Sequence, residues 1–406
     1  MGAKLIDQLP RISIVTPSYN QAAFIAETIE SVLSQSGDFE IEYLVMDGGS
    51  TDRSVEVIRR YADRVALDWP ATCARVSMKW VTQRDRGQSD AINQGLRQAT
   101  GDIVGYINSD DLYYRGAFDR VVTTFAARPE ADFVYGNGDL IDKDGRPLRE
   151  WASRPFNCSV LASYDFLRNG FRNYIMQPAT FWRRSVLDKI GYFDETFHYA
   201  LDLEYWIRAG RAGLNLHHIP HKLAKFRTWP GTKTLSSRTV FWEDHLELYR
   251  RYRGGGLAIF FAYYYYNLAR QFELDLARTA EEASGILRRW EGLPAGERQL
   301  IAQQAARGFG LACFLLASDL RSQRRFEEGA SAFRSGLANR PLIILHPFAL
   351  AYLLNRISGP VLSPILHKIT RFAIRVCLQM RYNWLWVGRN MIAEDLSTWR
   401  RVLSSG

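Results

Sequence analysis

From Arg11 to Arg253 the chain alternates two hydrophobic rhythms. Short β-branched runs read as buried strands, and apolar positions spaced three and four apart read as helices. Ile12–Val15 predicts a first strand, followed by a helix with Phe24, Ile25, Ile29, Val32 and Leu33 on one face. Ile41–Met46 predicts a second strand, after which Thr51 and Asp52 offer capping oxygens to a helix through Val55 and Ile58. Strands are expected again near Met78–Thr82, Asp102–Ile107 and Asp132–Tyr135. Between them, Ala91, Ile92, Gly95, Leu96 and Ala99 mark one helix and Phe118–Phe125 another. This alternation predicts an α/β layer with a mostly parallel sheet.

Asp144 and Gly145 lie between two extended runs and predict a hairpin, a small antiparallel element joined to the sheet. A strand at Ala179–Trp182 follows, then a helix over Asp202–Ala209, strands near Leu214–Ile219 and Leu223–Phe226, and a helix from about Ser236. At Gly254, Gly255 and Gly256 the strand grammar stops and amphipathic helices take over. The expected domains are therefore an α/β domain over 1–253 and an all-α region over 254–406. Within the latter, Ala312–Pro341 carries the apolar spacing of one tetratricopeptide-type helix-turn-helix.

Composition narrows the class without naming a chemistry. Of 406 residues, 47 % are hydrophobic and 23 % charged, which excludes a disordered or collagen-like chain. Four scattered cysteines show neither paired metal-ligand spacing nor a disulfide framework, and Met1–Pro10 lacks the pattern of a signal peptide, so a cytoplasmic protein is expected. Leu257–Tyr266 and Pro341–Leu354 are shorter than the roughly 18 to 20 residues of a spanning helix, so no transmembrane segment is expected.

Ligands of open α/β sheets gather beyond the carboxyl ends of the strands, and the residues there are polar. The first strand runs into Thr16, Pro17, Ser18, Tyr19 and Asn20, the second into Asp47-Gly48-Gly49-Ser50-Thr51-Asp52, and the fourth into Asn108-Ser109-Asp110-Asp111. Neither GxGxxG after the first strand nor GxxxxGK[ST] is present, which removes the main support for dinucleotide-dependent dehydrogenases and P-loop kinases. Asp110 and Asp111 read either as a helix cap or as hard oxygen ligands for Mg2+ or Mn2+ bridging to phosphate.

These three segments, in this order, resemble the family 2 inverting glycosyltransferases of GT-A fold, over roughly Arg11 to Arg253. The resemblance implies a Rossmann-like, mostly parallel sheet and a nucleotide-sugar donor, UDP-linked by preference. It implies that Pro17, Ser18, Tyr19 and Asp47 hold the base, that Asp110 meets the ribose and that Asp111 holds a divalent metal on the diphosphate. Asp90, with Asp85 and Arg86, falls where the family lines its donor site, and Gln177 falls near the acceptor. Gly191–Glu195 and Ala200–Arg208 match the acceptor segment, in which an acid at a helix start is the general base. The family's usual Glu-Asp pair is Leu201-Asp202 here, so the role passes to Asp202. Glu204 points about 200° away on a helix, which leaves it to acceptor binding or to an ion pair with Arg208. Where the family often carries Arg-x-His this chain has Arg227-Thr228-Trp229, leaving that diphosphate role unfilled or moved to Lys233.

Charge is concentrated at one end. Residues 301–406 hold 14 Lys and Arg against 5 Asp and Glu, the whole excess of +9. Lys368, Arg371 and Arg375 share one helical face while Ile369, Phe372, Ala373, Val376 and Met380 share another, with Trp384 and Trp386 nearby. That pattern fits a helix lying in a membrane interface, or a cap on the α/β domain or on a second subunit. No nucleic-acid module accompanies it. The sum is a metal-dependent glycosyltransferase, peripheral at the inner membrane face, acting on a glycan or lipid-linked glycan as in bacterial surface polysaccharide assembly. Two alternatives stand beside it. One is a non-catalytic nucleotide-fold scaffold with a partner-binding tail. The other is a sugar-phosphate nucleotidyltransferase, which needs a glycine-rich loop that Ile12–Asn20 lacks.

Overall fold

A computed structural model describes residues 9–158, 173–229, 232, 238–253 and 257–339. The chain separates into two compact units, Met1–Asp244 and His245–Gly406, so the division falls inside the helix Arg238–Arg253. Gly254–Gly256, Lys233 and the whole basic stretch from Arg340 onward lie outside the described residues.

The first unit is built on a nine-stranded mixed sheet. Its strands are β1 (Arg11–Ser18), β2 (Gly37–Asp47), β3 (Cys73–Thr82), β4 (Ile103–Tyr106), β5 (Leu112–Tyr113), β6 (Phe133–Ile141), β7 (Pro147–Trp151), β8 (Thr180–Arg183) and β9 (Leu216–Arg227). They run in the order β3-β2-β1-β4-β8-β6-β9-β5, with β7 paired to β6. The half from β3 to β4 is parallel. Helices α1 (Ile25–Leu33), α2 (Ser54–Leu67), α3 (Gln88–Gln98) and α4 (Ala117–Ala127) alternate with these strands. Ile12, Ile14 and Val15 are all fully buried, as expected of a parallel strand covered on both faces. Close cover needs a small residue on the helix. A Cβ on Gly95 of α3 would lie 2.4 Å from Val15 Cγ1.

Register sets the site. Ser18 pairs with Asp47 and Asp47 with Thr82, so β1, β2 and β3 end level and deliver their following loops to one edge. The strand order turns at β1, which lies between β2 and β4, and this is where open α/β sheets form a ligand crevice.

The other half carries the antiparallel pairings. The hairpin expected at Asp144-Gly145 joins β6 to β7, and Gly145 takes the positive φ (79°) its turn requires. β8 runs antiparallel to both β4 and β6, which brings its start, rather than its end, to the edge where β4 finishes. Two expectations need correction here. The strands read near Leu214–Ile219 and Leu223–Phe226 are one strand, β9, whose pairing with β6 slips between His218 and Lys222. Pro220 lies in that slip and has no N–H for the ladder, yet the backbone stays extended through it. The second is β5, only two residues long and antiparallel to β9, which the reading missed because two residues give no period.

Two further helices complete the unit, α5 (Val186–Ile190) and α6 (Leu201–Arg211), before α7 (Arg238–Arg253) crosses the division. In the second unit α8 (Leu257–Gln271), α9 (Leu276–Arg288), α10 (Ala295–Ser322) and α11 (Phe326–Asn339) enclose a core of Ala262, Ala269, Leu311, Phe314, Ala317, Leu320 and Phe333. The helix-turn-helix read at Ala312–Pro341 is α10 and α11, with Phe314 and Phe333 rings 5.2 Å apart. By length and composition Ala295–Arg321 could cross a membrane, a stretch the sequence reading passed over. More than half of its most apolar window (56 %) is buried inside the protein.

Candidate active site

Beyond the carboxyl ends of β1 and β4 lies a cavity of about 530 Å³. Among the residues that line it are Pro17, Ser18, Tyr19, Asp110, Gln177 and Asp202, all singled out in the sequence. They arrive from four separate places in the chain, and each is there for a structural reason. Pro17–Tyr19 end and follow β1. Asp110 precedes β5, Gln177 opens the 3-10 turn before β8, and Asp202 sits in the first turn of α6. Gln177 Nε2 donates to the Tyr106 carbonyl at the end of β4 (2.8 Å), stitching the acceptor-side segment to the strand.

Asp47 and Asp90 do not reach this cavity. Asp47 accepts the N–H groups of Gly49 and Ser50 and the hydroxyls of Ser50 and Thr82, so its carboxylate is used in folding its own turn. Asp90 accepts from Arg86 and Gln94, and the Arg86 guanidinium holds its carboxyl below the usual range. The loop acid that does line the cavity is Asp85. A Cβ on Gly48 would lie 2.5 Å from Asp85 Oδ2, so the Asp85 carboxylate occupies the space that any other residue at 48 would fill. Asp85 Oδ1 accepts the Gly87 N–H at 2.8 Å, and Oδ2 takes no hydrogen bond from the described residues.

The Asp110–Asp111 pair divides its work. Asp110 lines the cavity and accepts from Trp229 Nε1 at 3.4 Å. Asp111 is buried behind it, with Oδ1 taking the Arg227 N–H (2.8 Å) and Oδ2 the Asn108 amide (3.2 Å). Burial, and then the Asp110 charge, hold the Asp111 carboxyl well above the usual carboxylate range, and burial raises Asp110 as well. Two adjacent carboxyls that resist ionisation together are a donor set that a divalent cation suits. Among the described residues no group of three or more His, Cys, Asp or Glu could hold a metal. The pair fits a Mg2+-type site in which one or two carboxylates are completed by phosphate oxygens.

Other residues complete the site, and of these Asn173 and Tyr106 carry no motif in the sequence. Arg227, the arginine of the Arg-x-His segment at the end of β9, is 1 % exposed and organises the Asp110–Asp111 pair. Its main chain holds Asp111, its Nε donates to the Asp110 carbonyl (2.8 Å), Nη1 to the Lys143 carbonyl (2.7 Å) and Nη2 to Glu27 (2.7 Å). Asn173 donates to Asp202 Oδ2 at 2.9 Å, while Asp202 Oδ1 takes the Leu203 N–H at 2.8 Å. Tyr106 lines the cavity close enough to feel both acids. Burial and then the charges of Asp202 and Asp111 push its phenol well above the ordinary value. Its place at a strand end was the signal that would have found it. Ser18 Oγ and Gln21 Oε1, also at the cavity, are buried atoms with no hydrogen-bond partner among the described residues.

Glu204 lies 2 % exposed and binds Arg208 Nη2 at 2.8 Å, the ion-pair reading of the sequence. It does not line the cavity. His217, His218 and His221, close together in β9, do not line the cavity, and His218 shares a hydrogen bond with Asn137 Oδ1 at 3.0 Å.

Comparison with known proteins fits this picture. Residues 13–191 match the family described as "Glycosyl transferase family 2", and residues 103–354 match "Glycosyl transferase family group 2". The chain belongs to the family 2 glycosyltransferases. It is similar to an uncharacterized glycosyltransferase of a Nostoc species, 28 % identical over 183 residues, covering 44 % of this chain and 53 % of that one. It is also similar to a PGL/p-HBAD biosynthesis glycosyltransferase of Mycobacterium bovis, 29 % identical over 201 residues, covering 49 % of this chain and 69 % of that one. The chain thus spans from about half to about two thirds of the length of these relatives. A crystal structure of S. aureus TarS 1-349 in complex with UDP-GlcNAc superposes with a TM-score of 0.48 at 17 % identity, covering 80 % and 90 % of the two chains.

Proposed function

We propose that the protein transfers a sugar from a nucleoside-diphosphate sugar, UDP-linked by preference, to a hydroxyl of a glycan or lipid-linked glycan, inverting the anomeric centre in one displacement. The supporting observation is the single cleft shared by Pro17–Tyr19, Asp110 and Asp202. Donor, acceptor and base must meet in one such space.

In this reading the nucleoside lies along Pro17–Tyr19, where Ser18 Oγ and Gln21 Oε1 have no partner among the described residues. Asp85 reads the base in place of Asp47. Its second oxygen, without a donor among the described residues, accepts a hydrogen bond, which suits the ring N–H of uracil, thymine or guanine and repels the ring acceptors of adenine and cytosine. Asp110 and Asp111 would hold a Mn2+ or Mg2+ ion, which would supply Lewis-acid stabilisation of the charge on the departing group. Arg227 fixes those two acids from behind. Asp202, oriented by Asn173, takes the proton of the acceptor hydroxyl as that oxygen attacks the anomeric carbon from the face opposite the diphosphate.

A thermal-shift screen of UDP-, dTDP-, GDP-, ADP- and CDP-sugars with Mn2+ tests this, because a ligand that binds only the native state raises the melting temperature. Donors whose base carries a ring N–H should stabilise the protein and release their diphosphate. A screen in which none binds returns the chain to the scaffold reading.

A further inference from the structure

We propose that Asp244 is a positioning residue for transfer, setting from a distance the wall of the cavity that carries Asp202. The inference rests on Asp202 being the base. Asp244 is 2 % exposed, and one oxygen, Oδ2, accepts three consecutive backbone N–H groups: His198 at 2.6 Å, Tyr199 at 2.5 Å and Ala200 at 3.2 Å. Successive amides converging on one anion make a strong, directional anchor.

Its location gives the anchor a function. The three amides immediately precede α6, whose cap residue Ala200 has no side-chain oxygen to satisfy the orphan donors of a helix start. Asp244, 44 residues further along, takes the cap amide of Ala200 and the two amides before it, while Asp202 Oδ1 takes the Leu203 N–H inside the first turn. The side chains of the same stretch, His198, Tyr199, Leu201 and Asp202, line the cavity, whereas Asp244 does not. On its other side the segment is tied to α3, through Ser89 Oγ to the Phe197 carbonyl (2.9 Å) and Asn93 Nδ2 to the Phe193 carbonyl (2.9 Å). The base therefore stands on a strap fastened at both ends. Asp244 is the fastening nearest to it in sequence, and it touches no part of the space a substrate would occupy.

The test uses the full chain carrying Asp244→Ala, Asp244→Asn or Asp202→Asn, with hydrogen exchange, UDP–Mn2+ calorimetry and diphosphate release from a panel of UDP-, dTDP- and GDP-sugars. D244A should speed exchange of the 198–204 amides and lower kcat at least about tenfold, while UDP affinity and donor KM stay within about twofold. D244N keeps an acceptor oxygen but loses its charge, and should recover part of both effects. Unchanged exchange at 198–204 in D244A overturns the proposal. So does a fully active D244A in a protein that D202N inactivates. If D202N is fully active, the base assignment fails and this proposal with it. If no donor is cleaved by the unmodified chain, the exchange measurement alone decides the anchor, a rise confined to 198–204 supporting it.

Discussion

A carboxylate's neighbours decide what it does, and the acids of this chain show four outcomes. Asp47 is taken up by its own turn and Glu204 by Arg208, Asp111 is held from behind by the Arg227 main chain and Asn108, and Asp110, Asp85 and Asp202 line the cavity. Asp202→Asn should therefore lower turnover by about 10²- to 10⁴-fold, the range for loss of a general base, with UDP binding by calorimetry unchanged. Gly48→Ala inserts a methyl where Asp85 Oδ2 now lies, and must push that carboxylate out of the cavity wall. Weaker UDP binding with a near-normal melting temperature is the expected result. The motif residues Ser18, Asp110 and Asp202 were legible in the sequence because strand ends and helix starts place them. That Asp85 rather than Asp90 lines the cavity was not, since it depends on which loop fills a space opened by a missing side chain. Asn173 was not legible either, because its partner Asp202 is distant in the chain and follows no spacing, and Arg227 was legible as a motif position but not in its hold on Asp110 and Asp111.

Elements were read best where both period and cover are simple. The four parallel strands and the helices between them follow directly from buried runs and amphipathic spacing. The mixed half resisted, because β5 is too short to show a period and the Pro220 slip makes β9 look like two strands. Packing of α3 on β1 gives an element-scale prediction. Gly95→Ala gains about 1 kcal/mol in helix propensity but drives a methyl into Val15, whose branched side chain has little room to turn. Chemical denaturation should show a net loss of about 1–2 kcal/mol. In the second unit, Glu247 is drawn to Arg250, Arg251 and Trp290 Nε1. Burial raises its pKa, but these three donors prevail and pull it down to about 2. A depressed carboxyl stabilises the fold above its unfolded value and loses that contribution as pH falls through its folded value. The unmodified chain should thus weaken between pH 4.5 and 2, the interval spanned by that shift. Glu247→Gln should cost about 2 kcal/mol at pH 7 and flatten the acid limb in melts followed by circular dichroism.

Across the whole molecule, the sequence is divided in its electrostatics. The first 300 residues balance, and the excess of +9 lies in the last 106. Each cation near an anionic surface contributes about 1 kcal/mol, so a cluster of them is enough for reversible attachment. Replacing Lys368, Arg371 and Arg375 together by Gln should release the full chain from phosphatidylserine vesicles in sedimentation while leaving donor turnover intact. Binding that survives both this replacement and high salt would rule out the electrostatic anchor.

The contest between Gly48 and Asp85 for one volume also makes a statement about inheritance. A homologue that acquires a side chain at the first position has to shorten or redirect the second, and one that loses the acid at 85 is free to grow at 48. The two sites should therefore mutate as a linked pair across the lineage, trading bulk between two loops that are 37 residues apart in the chain.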